Sequence, residues 1–162
     1  MKEIFSGSEV IELGIQIEKN GYDFYTGLSR KINNPVFTSV FDLLAQEEEK
    51  HIGVFRKLLE KISLVGSEVS LSDEYSAYIS SLAGKYVFTQ AGKGFQIAKK
   101  ITSALEAVDL GIGFERDSII FYEGIKVIVP ENEKNIVSEL ILQEEKHLKR
   151  LLDFKAKLSG GK

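Results

Sequence analysis

Two stretches of this sequence decide how it folds: Gln46-Glu47-Glu48-Glu49-Lys50-His51 and Gln143-Glu144-Glu145-Lys146-His147. Each ends in the pattern Glu-x-x-His. Residues three apart share a helix face, so each stretch can present a carboxylate oxygen and an imidazole nitrogen to one site. His51 and His147 are the only histidines of the chain, and a lone histidine on an apolar face is more often an ordinary core residue. The repetition of the pattern favours a metal site over that alternative.

Two further glutamates lie one predicted helix upstream of these motifs. Glu18 precedes Glu48 by 30 residues and Glu115 precedes Glu144 by 29 residues, and a helical hairpin folds either distance back on itself. Apolar residues share the face of each motif, which turns the candidate ligands toward the core. Four buried carboxylates without partners would be costly, whereas two divalent cations would balance their charge. We therefore predict a dinuclear metal site formed by Glu18, Glu48, His51, Glu115, Glu144 and His147.

The ligand types and two tyrosines refine this prediction. Carboxylate and imidazole suit non-haem iron, with manganese as the alternative, so we expect two iron ions. Tyr25 and Tyr122 lie seven residues after Glu18 and Glu115 on the same helical stripe. They either donate hydrogen bonds to the carboxylates of the site or are ordinary aromatic core residues, and the spacing leaves both roles open.

Helix-start signals delimit the first half of the chain. Ser6 and Glu9 have the spacing of a capping box, and Phe5 and Val10 have that of a hydrophobic staple, which predicts a first helix from about Ser6. Pro35 suits the first position of the second helix. The second half shows the same organisation.

In that second half, Ser103 and Glu106 again have capping-box spacing, which predicts a third helix that runs to about Ile128. Glu131 and Glu133 are expected in the first turn of the fourth helix, where the helix dipole favours negative charge. Between the halves lies a segment rich in glycine and serine, where the helical pattern is interrupted. Only one short helix is predicted within it. We expect this helix to run from Ser72 or Asp73 to Leu82, and residues 159–162 to form a tail.

These signals combine into one architecture. We predict an all-α, four-helix bundle over residues 1–162 as a single domain, with hairpins at 6–62 and 103–158 joined by a long crossover at 63–102. The long crossover makes the helices run up, down, down and up. The segment Gly14-Ile15-Gln16-Ile17-Glu18 matches Gly111-Ile112-Gly113-Phe114-Glu115, so the two hairpins are interpreted as a duplication.

Small residues flank the upstream glutamates, namely Gly14, Gly21, Gly111 and Ser118. A glycine inside a helix costs about 1 kcal/mol relative to alanine, so something must offset it. Close packing between helices is one explanation. Space for a small oxidant beside the metals is the other.

Composition excludes several classes of function. The chain has no cysteine, which excludes disulfides, zinc fingers and thiol catalysis. Its net charge of −3 argues against nucleic-acid binding. No apolar run is long enough for a signal peptide or a membrane span, so we expect a cytoplasmic protein that does not bind membranes.

The upstream Glu, the Tyr seven residues later and the paired Glu-x-x-His motifs resemble the ferritin-like di-iron carboxylate superfamily, most closely its rubrerythrin-like branch. This resemblance covers nearly the whole chain and implies a ferritin-like bundle. It implies that Glu48 and Glu144 bridge two irons. Glu18 with His51 would complete one iron, and Glu115 with His147 the other.

The resemblance also implies a function, with two departures. The branch usually carries a rubredoxin module with four cysteines, which this chain lacks, so electrons would come from a separate donor protein. It also usually has a further ligand glutamate where this chain has Ser118, which leaves six ligands, as in the bacterioferritin set. We expect a di-iron oxidoreductase that reduces peroxide or dioxygen, in a homo-oligomer with a dimer favoured. A ferroxidase of ferritin type and a structural metal protein without turnover are the alternatives.

Overall fold

The structure, a computed structural model, describes residues 6–64, 72–85 and 87–160. Within these residues it is helical without any β-strand, and it confirms the predicted all-α bundle. Four long helices form the bundle, and two shorter ones belong to the crossover. The helices are α1 (Gly7–Lys31), α2 (Pro35–Leu64), α3 (Asp73–Lys85), α4 (Lys93–Lys100), α5 (Ala104–Ile128) and α6 (Lys134–Gly160).

The first hairpin begins at the predicted capping box. The Ser6 side chain accepts a hydrogen bond from the backbone N–H of Glu9 (3.2 Å), and the Glu9 carboxylate accepts one from the backbone N–H of Ser6 (2.7 Å). Pro35 is the first residue of α2, as predicted. The proposed staple between Phe5 and Val10 depends on Phe5, which lies outside the described residues.

The second hairpin begins with a modified form of the predicted cap. Ser103 accepts a hydrogen bond from the backbone N–H of Glu106 (3.1 Å), as expected. The Glu106 carboxylate, however, accepts from the backbone N–H of Thr102 (3.0 Å). The Glu106 carboxylate therefore bonds the backbone N–H one residue before the one used in a standard capping box. The start of α5 is where it was predicted.

The four long helices run in the predicted order of up, down, down and up. Each hairpin pairs two antiparallel helices, α1 with α2 and α5 with α6. Tyr25 of α1 bonds Glu115 of α5, and Tyr122 of α5 bonds Glu18 of α1. This crossed pattern requires α1 and α5 to be antiparallel. The core between the helices is apolar and includes Phe41, Leu44, Phe55, Leu140 and Leu151, all buried.

In its described residues, 72–85 and 87–102, the crossover is more helical than the sequence indicated. Helix α3 begins at Asp73, as predicted, but extends to Lys85. Helix α4 was not predicted, because Gly92 and Gly94 interrupt its short pattern. It packs on α1, where Asn20 accepts a hydrogen bond from the backbone N–H of Gly94 (3.2 Å).

Both ends of the fourth helix differ from the prediction. Glu131 and Glu133 form a short 3₁₀ turn, and α6 begins only at Lys134. Glu133 is drawn inward because Lys61 of α2 donates to both of its carboxylate oxygens, each at 3.0 Å. Ser159 and Gly160 belong to α6 rather than to a tail, and residues 161–162 lie outside the described range.

The glycines beside the upstream glutamates are explained by close packing. A Cβ on Gly14 would lie 3.0 Å from the Phe55 ring, and one on Gly111 would lie 3.1 Å from the Leu151 side chain. A Cβ on Gly21 would lie 2.7 Å from the Phe114 ring. Side chains therefore already occupy the space beside these glycines.

Across the described residues, no helix is both long and apolar enough to cross a membrane.

Candidate metal centre

The structure brings all six predicted ligands together inside the bundle. Glu18 lies on α1 and Glu115 on α5, and each Glu-x-x-His motif lies on the partner helix of its hairpin. All six residues are buried, at most 1% exposed. The helical hairpin delivers this arrangement because residues about 30 apart fold back to the same depth. The cluster is formed by Glu18, Glu48, His51, Glu115, Glu144 and His147.

The donor atoms of the cluster fall into two overlapping groups of four. One group contains Glu18, Glu48, His51 and Glu144, and the other contains Glu48, Glu115, Glu144 and His147. Within each group, one donor atom from every residue lies within 4.8 Å of the others. Glu48 and Glu144 belong to both groups. The geometry thus offers two adjacent positions for a cation with two carboxylates in common.

The two imidazoles turn the same nitrogen toward the cluster. His51 Nδ1 lies 2.7 Å from Glu144 Oε1 and 3.4 Å from Glu18 Oε2. His147 Nδ1 lies 3.1 Å from Glu48 Oε1 and 3.3 Å from Glu144 Oε2. The two rings are stacked, with centroids 5.5 Å apart. Each ring can therefore offer Nδ1 as a ligand.

The hydrogen bonding of the candidate metal-ligating atoms shows whether a cation fits here. Among the described residues, eight buried side-chain atoms have no hydrogen-bond partner outside the cluster, and all belong to it. Six are carboxylate oxygens and two are the Nδ1 atoms. A buried polar atom without a partner costs about 1–3 kcal/mol, and cations at the two positions would give these atoms partners. The donor set, carboxylate with imidazole, suits divalent iron or manganese.

Without a metal, protons have to neutralise the cluster. Burial raises the pKa of Glu48 and Glu115 well above the usual range, and the neighbouring Glu144 adds to this. Burial by itself would lower the pKa of His51, but Glu18 and Glu144 outweigh it and raise that pKa to about 12. Metal uptake must therefore release protons from the cluster.

The two tyrosines do contact the cluster, each across the bundle. The Tyr25 hydroxyl donates to Glu115 Oε1 and the Tyr122 hydroxyl donates to Glu18 Oε1. Each tyrosine therefore supports the glutamate of the other hairpin, a pairing that the sequence spacing did not reveal. Burial raises the pKa of both phenols well above 10, and the adjacent carboxylates add to it, so both remain donors.

Two residues that the sequence pattern did not single out contact the outer nitrogens, Nε2, of the two imidazoles. His147 Nε2 lies 2.6 Å from Glu47 Oε2, and His51 Nε2 lies 2.7 Å from Gln143 Oε1. Glu47 and Gln143 each lie four residues before the histidine of their own motif, yet each bonds the histidine of the other. The signal in the sequence was their matched position directly before a candidate ligand glutamate.

Ser118 does not extend the cluster. Its hydroxyl donates back to the carbonyl oxygen of Phe114 (3.0 Å), within α5. The side chain is buried, and its hydroxyl is engaged within its own helix. Among the described residues, the two donor groups therefore contain six candidate ligands.

Comparisons with known proteins agree with this geometry. The rubrerythrin family model matches residues 9–155. A Thermotoga maritima protein, proposed to be a ferritin-like diiron-carboxylate protein, has 26% identity and a TM-score of 0.75 over 97% of this chain and 99% of that chain. No curated protein matches the chain. The chain therefore belongs to the rubrerythrin family of ferritin-like di-iron carboxylate proteins.

Proposed function

We propose that the chain is a non-haem di-iron oxidoreductase that reduces peroxide, or alternatively dioxygen, with electrons from a separate donor. The observation that carries the proposal is the pair of overlapping donor groups that share Glu48 and Glu144. Two metal ions held this close can act on one small oxidant together. The family membership supports the same class of chemistry.

Each candidate ligand has a defined place in this proposal. Glu48 and Glu144 would be shared by two iron ions. Glu18 and His51 would complete one position, and Glu115 and His147 would complete the other. When bound, the irons supply the redox chemistry that delivers two electrons to an O–O bond. Tyr25 and Tyr122 hold the non-bridging glutamates in place through hydrogen bonds from the opposite hairpin.

The proposal takes its electrons from a separate donor. Reduction of one hydrogen peroxide to two water molecules consumes two electrons and two protons. The chain has no cysteine and so no thiolate-ligated iron centre of its own. The proposal therefore requires a separate reduced electron-transfer protein.

Metal analysis and oxidant kinetics test the proposal. Purified protein should take up two ferrous ions per chain without oxygen, and peroxide should oxidise the loaded protein faster than dioxygen does. Glu48→Gln should abolish binding of the second iron, because it removes a carboxylate common to both positions. Glu49→Gln is the matched control: it makes the same change one residue away at an exposed position, and it should bind and react as the original chain does.

A ferroxidase that feeds iron storage is the second candidate. It is favoured by Ser118, whose hydroxyl bonds within its own helix and leaves the six ligands that resemble the bacterioferritin set. This function requires a large cage-like assembly and faster oxidation by dioxygen. A small oligomer measured by light scattering would contradict it. A loaded protein that reacts with neither oxidant would instead indicate a structural metal protein.

A further inference from the structure

The two halves of the metal centre differ in charge at the side chains next to the outer nitrogens of the histidines. Glu47 of α2 and Gln143 of α6 correspond in the duplicated hairpins, each directly before a glutamate of both donor groups. The side chains differ only in that Glu47 ends in a carboxylate and Gln143 in a neutral amide. The repeat therefore places a charged group in one half and a neutral group in the other.

Each of these side chains forms a hydrogen bond with the outer nitrogen, Nε2, of one histidine. The Glu47 carboxylate lies 2.6 Å from His147 Nε2, and the Gln143 carbonyl oxygen lies 2.7 Å from His51 Nε2. Both oxygens act as acceptors, so each imidazole in its neutral, metal-binding form carries its proton on Nε2 and turns Nδ1 toward the cluster. The contact fixes the same tautomer in both halves.

Glu47 is held in its acceptor position by a further contact. Arg150 Nη1 of α6 lies 3.3 Å from the same oxygen, Glu47 Oε2. Arg150 lies one turn after His147, so α6 supplies both groups that hold the carboxylate. The Glu47 side chain is 29% exposed, whereas the imidazole it contacts is 2% exposed. The partnership therefore reaches from the surface of the bundle to the buried cluster.

We propose that Glu47 makes the two metal positions unequal, so that the position formed with Glu115 and His147 binds a divalent cation more tightly than the one formed with Glu18 and His51. A carboxylate that accepts the imidazole N–H makes the other nitrogen a stronger ligand than a neutral amide does. Loss of such a partner lowers metal affinity by about 10–100-fold. The inference rests on the metal site of the proposed function and assigns Glu47 as a positioning residue.

The test uses Co²⁺ as a probe, with calorimetry for the binding steps and proton NMR for the occupied position. At one equivalent of Co²⁺, the unsubstituted chain should show one main paramagnetically shifted signal from an imidazole N–H proton. The chemical shift of this signal should change in Glu47→Gln. In that variant the first binding step should weaken by about 10-fold or more, and both positions should fill together. Gln143→Glu should also make the positions fill together, through tighter binding beside His51.

Each possible result bears on the inference. Equal filling of both positions in the original chain would overturn it, as would an unchanged first binding step in Glu47→Gln. Glu49→Gln, on the same helix but exposed, should leave both measurements unchanged. If the original chain binds no Co²⁺, the metal site itself fails and the inference falls with it. If two ions bind with equal preference, only the inference fails.

Discussion

Gly94→Ala tests the unpredicted packing of the crossover on α1. A Cβ on Gly94 would lie 2.1 Å from the carbonyl oxygen of Asn20 and 2.9 Å from the backbone nitrogen of Phe24. Both atoms belong to the backbone of α1 and cannot rotate away. The start of α4 therefore has to move off α1.

The size of the effect follows from what this movement breaks. Asn20 is fully buried and donates to the carbonyl oxygens of Phe88 and Gln90, each at 2.6 Å, besides accepting from Gly94. Movement of Gly94 breaks its own hydrogen bond to Asn20, at about 1 kcal/mol, and overpacking adds about 1–3 kcal/mol. We expect the free energy of unfolding to fall by about 3 kcal/mol. For a chain of this size, that lowers Tm by about 6–12 °C.

Urea denaturation of the metal-free protein, followed by circular dichroism, measures this change. Gly113→Ala is the control, because a Cβ there would meet nothing within 4 Å, and alanine should stabilise α5 by up to about 1 kcal/mol. If Gly94→Ala were as stable as the original chain, α4 would not pack on α1 as described. A loss of stability in Gly94→Ala together with a gain in Gly113→Ala supports the packing.

Two further predictions concern the cluster itself. In chelator, the free energy of unfolding should fall as the pH rises from 6.5 to 8, because His51, with its pKa raised from 6.5 to about 12, keeps a proton that the unfolded chain releases. The loss is at most about 1.4 kcal/mol per pH unit for each such group. Urea titrations at several pH values measure it, and stability that rose with pH would contradict the charge assignment. Tyr122→Phe removes the hydrogen bond to Glu18 and should destabilise the metal-free protein by about 1–2 kcal/mol; the exposed Tyr78→Phe is its control, and equal stability of the two variants would refute the role.

Much of the cluster could be predicted because helix geometry converts spacing into position. Glu48 and His51 share a face whatever the helix packs against, and the same holds for Glu144 and His147. The two matched hairpins then bring Glu18 and Glu115 to the same depth. The burial of these side chains followed from the apolar residues on the same stripe. The local signals at Ser6, Pro35 and Ser103 predicted helix starts for the same reason: they act within one turn.

The predictions that failed involve contacts between residues far apart in the sequence. Glu133 was assigned to a helix start, but a salt bridge to Lys61 draws it inward. Helix α4 is too short to be stable alone and exists through its contacts with α1. Gly92 and Gly94 interrupt its helical pattern in the sequence, so it was not predicted. Gly94 nevertheless allows the close approach to Asn20.

The sequence by itself therefore determined the four long helices, the match between the two hairpins and the set of side chains that face the core. These depend on the period of the helix and on residues a few positions apart. Only the tertiary structure decided which residues meet across the bundle. Tyr25 reaches Glu115 rather than its own Glu18, because α1 and α5 are antiparallel and neighbouring. The antiparallel pairing of α2 and α6 likewise places Glu47 behind His147. Such pairings depend on the relative depth of two helices, which no local pattern encodes.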